Sequence, residues 1–264
     1  MKKIGFIGAG NMGGALAAAV SRTENSVFVC CAHKENAEAL AAKIGATATT
    51  VENIIDVCDL VFLGVKPQTL PDLAQGLKPL IEKRKDRICL VSMAAGVTCS
   101  RLEALFGDCK IIRIMPNTPV SIGEGVILYC LGQSAAEYED LLCDALSMVG
   151  TLHKIDEAII DAATAVSGCG PAFVYMFIDA LADGGVKCGL AREKAQLLAA
   201  QTLIGAAKLC IESDKQPSKL RDEVCSPGGS TLRGVAALEQ GDLNGIVISA
   251  VEAAYKRTRE LSGE

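Results

Sequence analysis

The segment Lys3-Ile4-Gly5-Phe6-Ile7-Gly8-Ala9-Gly10-Asn11-Met12-Gly13 sets the tightest limit on what this chain can fold into. A short apolar run is followed by three glycines at the spacing GxGxxG and then by a helical pattern from Ala15 to Val20. The order is strand, turn, helix. Glycines at these places let the turn close, let the backbone approach a pyrophosphate and let the helix lie close to the strand, with phosphates at the helix N-terminus. Gly8, Gly10 and Gly13 are therefore candidate dinucleotide-binding positions.

A second strand is expected over Ser26–Cys31, at the distance such a fold requires. At the end of that strand a carboxylate would accept from the ribose 2′-hydroxyl of NAD and repel a phosphate. This chain has Cys30-Cys31-Ala32-His33-Lys34 there, so His33 and Lys34 point to the 2′-phosphate of NADPH, with NADH also accommodated. The alternative is that these two residues only begin a solvated helix. Further apolar runs at Asp59–Val65, Arg87–Ser92 and Lys110–Met115 alternate with helical spacing, which specifies a parallel sheet with crossover helices. Ligands bind at the carboxyl ends of such strands, so Val65-Lys66-Pro67 and Ala94-Ala95-Gly96 share a rim with the glycine turn, and Met115-Pro116-Asn117-Thr118-Pro119 forms a further lip.

Strand signals stop near Glu157. The chain is read as α/β, with an N-terminal Rossmann-type parallel-sheet domain over residues 1–157 and an all-α substrate-binding and dimerisation domain over residues 158–264. Ala172–Ile178, continued by Ala180-Leu181-Ala182, is apolar on nearly every face, and a helix of that kind must be surrounded by protein. Wrapping by a second subunit would supply that cover, and a compact monomeric bundle is the alternative. Ser167-Gly168-Cys169-Gly170-Pro171 precedes this helix, and Cys169 is read as packing. In Ser226-Pro227-Gly228-Gly229-Ser230-Thr231, backbone N–H groups at a helix N-terminus would form an anion site fitting a carboxylate. Either that holds, or Ser230 or Thr231 simply caps the helix.

Composition removes several other classes. Acidic residues number 31 against 26 basic ones, Trp is absent, and six Phe and four Tyr are too few for a base-stacking platform or a membrane belt. Neither nucleic acid nor membrane is expected as a partner, since no uninterrupted apolar stretch reaches the roughly 18 residues of a span. Met1-Lys2-Lys3 runs directly into the glycine motif and is read as the start of the fold rather than a signal peptide. Twelve cysteines without a CxxC pair, and only two histidines, argue against a disulfide framework and against a metal site. A cytoplasmic protein with reduced thiols and a small-molecule substrate is the expectation.

Seven blocks in order then resemble the pyrroline-5-carboxylate reductase family over essentially the whole chain. They are Gly5–Met12, Phe62–Pro67, Ala94–Thr98, Asn117–Pro119, Ser167–Ala172, Asp179–Val186 and Val224–Thr231. The resemblance implies reduction of the cyclic imine 1-pyrroline-5-carboxylate to L-proline by hydride from NAD(P)H, in homodimers or in decamers built from dimers. It implies cofactor contacts at Ile7, Gly8, Ala9, Gly10, Asn11 and Met12, at Gly64, Val65, Lys66 and Pro67, and at Met93, Ala94, Ala95 and Gly96. It places the substrate carboxylate on Gly229, Ser230 and Thr231, the Thr231 hydroxyl by the ring nitrogen as the catalytic group, and Glu157 at the substrate end. Asn53 is the nearest counterpart of an asparagine that contacts cofactor in some members. A β-hydroxyacid dehydrogenase would need a Lys followed four residues later by Asn on a long helix, and residues 158–200 contain no such pair. A non-catalytic dinucleotide sensor would share the fold signals, but the intact Ser226–Thr231 segment speaks for an enzyme.

Overall fold

A computed structural model describes residues 1–107 and 109–262; Asp108, and Gly263 and Glu264 at the end of the expected helical domain, lie outside the described residues. The chain divides into two compact units, Met1–Cys169 with Ala254–Glu264, and Gly170–Ala253.

The first unit is built on eight strands: β1 Lys3–Ile7, β2 Ser26–Cys30, β3 Thr47–Ala48, β4 Leu60–Leu63, β5 Cys89–Ser92, β6 Lys110–Pro116, β7 Gly125–Leu131 and β8 Gly150–Lys154. Their order in the sheet is β3-β2-β1-β4-β5-β6-β7-β8. The first six make the order of a dinucleotide-binding sheet, with the switch point between β1 and β4. All neighbours run parallel except β6 and β7, which are antiparallel. The strands read from the sequence, β1, β2, β4, β5 and β6, all run parallel, and the antiparallel neighbour is β7, which the sequence reading did not include. The link across residues 117–124 is shorter than the roughly dozen residues a parallel crossover needs, so the chain returns as an antiparallel neighbour.

Helices α1 Asn11–Val20, α2 Lys34–Ile44 and α6 Glu139–Ala145 cover one face, burying Leu16, Val20, Ala41 and Leu142. On the other face lie α3 Val51–Val57, α4 Leu70–Lys83, α5 Cys99–Phe106 and α7 Ile160–Ser167, which bury Ile54, Leu77, Leu102 and Ile160. Because both faces are covered, β4 is buried at every position, which is why it reads as an unbroken apolar run. The stacked rings of Phe6 and Phe62, 4.7 Å between centroids, lock β1 to β4. Thr50 and Thr98 cap α3 and α5 by accepting from the backbone N–H groups of Asn53 and Arg101.

The second unit holds α8 Gly170–Lys187, α9 Arg192–Glu212, α10 Pro217–Val224 and α11 Ser230–Gln240, and α12 Leu243–Ser262 begins in it. Its buried cluster consists of three alanines, Ala182, Ala195 and Ala199, where α8 meets α9. Met176, Leu197, Ile211 and Ile246 are 62–84% exposed. Within the helical run Glu157–Lys187 an 18-residue window has a mean hydropathy of 1.4 and is 11% buried, which by length and composition alone would suffice to cross a bilayer. Asp161, Asp179 and Asp183 interrupt this run, so no uninterrupted apolar stretch within it reaches that length.

A close backbone approach joins β1, α1 and β4. A Cβ on Gly13 or on Gly64 would collide with the carbonyl oxygen of Gly8, a backbone atom that cannot move aside. Gly64→Ala is expected to lower stability by about 1–3 kcal/mol through overpacking, read as a drop in the denaturant midpoint of the unliganded protein. An unchanged midpoint would mean that this approach is not made.

Candidate functional site

The carboxyl ends of β1, β4 and β5 are neighbours in the sheet, and each opens into a small-residue loop. Gly8 has φ +85°, a conformation closed to most side chains, and its N–H donates to the Cys30 carbonyl at 2.8 Å. The turn is thereby tied to the end of β2. Gly64 donates to the Ile7 carbonyl at 2.8 Å, so the β4 loop is tied to β1. Gly10 differs from its two partners: a Cβ there would meet no protein atom within 4 Å. It is the N-cap of α1, with no side-chain cap and no acidic residue in the first turn. The first N–H groups of this helix thus face an open, exposed approach at its positive end, an arrangement that fits a pyrophosphate.

Beyond the end of β2 lies a cavity of about 470 Å³, lined among others by Cys31, Lys34, Thr49, Val51 and Glu52. This is room for the adenosine end of a dinucleotide. Lys34 is 85% exposed and lies 3.3 Å from Glu38 one turn along α2. His33 is the exposed N-cap of α2 and makes no side-chain cap bond. Asn53 is engaged otherwise, donating from Nδ2 to the Thr49 hydroxyl at 3.0 Å. Glu52, in the first turn of α3, escaped the sequence analysis. Its backbone amide and then the Thr50 hydroxyl hold its carboxyl below the usual range, so it is charged at neutral pH.

The β4 and β5 loops complete the rim. Lys66 is exposed and caps a 3-10 turn starting at Pro67, its carbonyl accepting from the Thr69 amide and hydroxyl. After β5, the Ala94 N–H donates to the Ser92 hydroxyl at 3.3 Å, and Gly96 turns the chain into α5. In the Asn117-Thr118-Pro119 block, Asn117 is 7% exposed and acts as a clamp. Its amide donates to the Ser167 carbonyl and its Oδ1 accepts from Val126, both at 2.9 Å, joining the end of β6 to β7 and to the end of α7.

Glu157 is placed against Arg113, a β6 residue that is only 2% exposed. The guanidinium donates to Glu157 at 3.3 Å and to Asp161 at 2.8 Å. The same Glu157 oxygen accepts the Cys99 N–H at 2.8 Å, at the start of α5. Cys99 and Cys130 lie beside it with their sulfurs 3.7 Å apart, and these three side chains form a group of metal-ligand type. The contact with the Cys130 thiol, then burial, push the Cys99 thiol far above its usual range. With the Cys99 thiol held neutral, a carboxylate oxygen already taken by two donors and a guanidinium against it, the group reads as packing.

In the second unit, Ser226-Pro227-Gly228-Gly229 forms a β-turn in which Gly229 donates to the Ser226 carbonyl at 3.0 Å. Pro at the second position and Gly228 at φ +73° at the third give a type II turn. The N-cap of α11 is Gly229, without a side-chain cap. The reading of Ser230 or Thr231 as a cap is therefore corrected, since both already lie within the helix. Their exposed side chains and the first-turn N–H groups are directed to no acceptor among the described residues. An anionic group suits this end.

A glycine turn at the switch point, a loop rim of small residues and an adenosine-sized cavity define a dinucleotide-dependent oxidoreductase. The model of the family described as "NADP oxidoreductase coenzyme F420-dependent" matches residues 3–96, and that of "Pyrroline-5-carboxylate reductase dimerisation" matches residues 157–261. Pyrroline-5-carboxylate reductase of Pisum sativum is 40% identical over 98% of this chain and 96% of its own. Pyrroline-5-carboxylate reductase 2 of Homo sapiens is 41% identical over 98% of this chain and 83% of its own. The solved structure of the Plasmodium falciparum pyrroline carboxylate reductase with NADP bound superposes with a TM-score of 0.88 at 33% identity, covering 99% of this chain and 98% of that one. The chain belongs to the pyrroline-5-carboxylate reductase family.

Gly10→Ala is expected to leave the denaturant midpoint nearly unchanged, because nothing crowds the new methyl group and the backbone angle suits alanine. Dinucleotide affinity should fall by about tenfold or more, since the methyl group occupies the approach of the pyrophosphate. Titration of NADPH followed by the reduced cofactor's own fluorescence or by calorimetry gives the comparison.

Proposed function

We propose that the chain reduces 1-pyrroline-5-carboxylate to L-proline with NADPH as the preferred cofactor and NADH as an alternative, as the final step of proline biosynthesis. Membership in this family at 40% identity over nearly the full length carries the reading, and the geometry agrees with it. The bound nicotinamide would supply the hydride.

In this reading Ile7–Gly13 hold the pyrophosphate, His33 and Lys34 take the 2′-phosphate, and Gly64–Pro67 with Met93–Gly96 line the nicotinamide end. The substrate carboxylate is taken by the N-terminus of α11 through the backbone of Gly229, Ser230 and Thr231, where uncapped N–H groups and the helix dipole complement its charge. The Thr231 hydroxyl positions the ring nitrogen. An imine that arrives protonated already carries the proton its product nitrogen keeps, so no strong acid is required of the protein. Glu157, held by Arg113, serves the substrate end through charge rather than proton transfer.

Residues 1–157 form the cofactor domain and residues 158–264 the substrate and dimerisation domain. The apolar surface of α8, α9 and α12 is covered by a second copy of the chain in a homodimer, and such dimers can assemble into decamers. The family match over residues 157–261, described as a dimerisation region, and the exposed side chains there support this over membrane insertion. The protein works in the cytoplasm.

Thr231→Ala is expected to lower turnover on the imine at least about tenfold with NADPH affinity within twofold, as for a contact made mainly in the transition state. Following oxidation of NADPH and NADH with the imine, in both proteins, tests the activity and the residue together. Unchanged turnover would remove Thr231 from the reaction, and no turnover by the unaltered protein would remove the reaction itself.

A further inference from the structure

We propose that Glu52 sets the balance between NADPH and NADH, by placing a fixed negative charge in the cavity that receives the adenosine ribose. The proposal rests on the reading of Gly8–Gly13 as the cofactor turn.

The tip of β2 offers no carboxylate, which by itself favours a phosphorylated ribose. The folded chain brings one to the same cavity from elsewhere. Glu52 lines it from the first turn of α3, together with Cys30, Cys31 and Lys34 at and just after the end of β2. Its charge belongs at that place: a helix N-terminus favours an anion, and its amide and the Thr50 hydroxyl keep it ionised. The charge also reaches across the cavity, since it adds to the effects of burial and of Cys31 that push the Cys30 thiol up.

Two groups of opposite sign therefore face one ligand. A 2′-phosphate carries about −1.5 to −2 near neutral pH and is repelled by Glu52, whereas a 2′-hydroxyl can donate to it. Lys34 acts in the other direction, but weakly: its ammonium is 85% exposed and shared with Glu38 at 3.3 Å. Selectivity arises from the difference between the two, so removing either charge should move it in opposite directions.

The test uses 2′,5′-ADP and 5′-AMP, which carry the adenosine end of each cofactor without the nicotinamide, and measures their affinities by calorimetry on the full chain. For Glu52→Gln, 2′,5′-ADP is expected to bind about 5- to 10-fold more tightly while 5′-AMP is unchanged or slightly weaker, and the gain should shrink in about 0.5 M salt. Glu52→Lys should go further in the same direction and Lys34→Ala in the opposite one. Steady-state kinetics should show the same shift in the NADPH to NADH ratio of kcat/KM, through KM. If Glu52→Gln changes both ligands equally, or neither, Glu52 is not the discriminator even where both cofactors still drive imine reduction. If neither ligand binds the unaltered protein, the cofactor turn has been misread and this proposal falls with it.

Discussion

The Gly8 carbonyl oxygen is wedged between the α-carbons of Gly13 on α1 and Gly64 after β4. This contact fixes how near the first helix and the fourth strand come to the end of β1, and the other parts of the rim take their positions from it. Were either glycine to carry a side chain, α1 would have to lift from the sheet, and its N-terminus would no longer point into the crevice at the switch point. The flanking hydrogen bonds from Gly8 to Cys30 and from Gly64 to Ile7 join the ends of β2, β1 and β4 into one edge. Backbone approach, rather than a set of side-chain ligands, is what this edge offers a phosphate. It explains how the first unit can prepare a binding site with so few charged groups.

The second unit is organised by a different constraint. Ordering each residue costs about 1–2 kcal/mol of backbone entropy, while a buried methyl group contributes about 0.8 kcal/mol. Three alanines cannot hold a helical layer of this size in place. Side chains such as Met176 and Ile211, exposed in a single chain, are the reserve of apolar area that such helices need, and an area of that extent marks an association surface. The stability of this half is therefore set by what covers it.

Much of the fold is legible in the sequence where one local signal is enough. β4 is buried at every position and reads as an unbroken apolar run, β1, β5 and β6 read as largely apolar ones, and the glycine spacing announces α1. The helices begin earlier than their apolar periodicity suggests, α1 at Asn11 and α2 at Lys34, because the first turns carry polar residues or glycine. β8 is hidden for the opposite reason: as an edge strand it exposes Thr151, His153 and Lys154, and it lacks the apolar signature of its neighbours. β3 is two residues long and has no pattern to read. At the site, the glycine turn and the Ser226–Thr231 segment carry their geometry in adjacent residues. Glu52 does not, since only the packing of α3 beside β2 brings it to the cavity at the end of that strand.

The buried arginine shows the same difference between local and tertiary information. Arg113 stands in an apolar run, Ile111-Ile112-Arg113-Ile114, and the pattern gives no reason for a charge there. Folding supplies it, because Glu157 and Asp161 arrive from the segment after β8 and neutralise the guanidinium. Taking such a cation out of water is costly unless partners are already in place, so the strand, the turn at Glu157 and the first turn of α7 have to assemble together. Glu157 then passes the constraint on by accepting from the first residue of α5, shortly after the loop that follows β5. A charge that a hydrophobic residue could replace for stability alone is thus placed where it ties β6, α7 and α5 into one geometry.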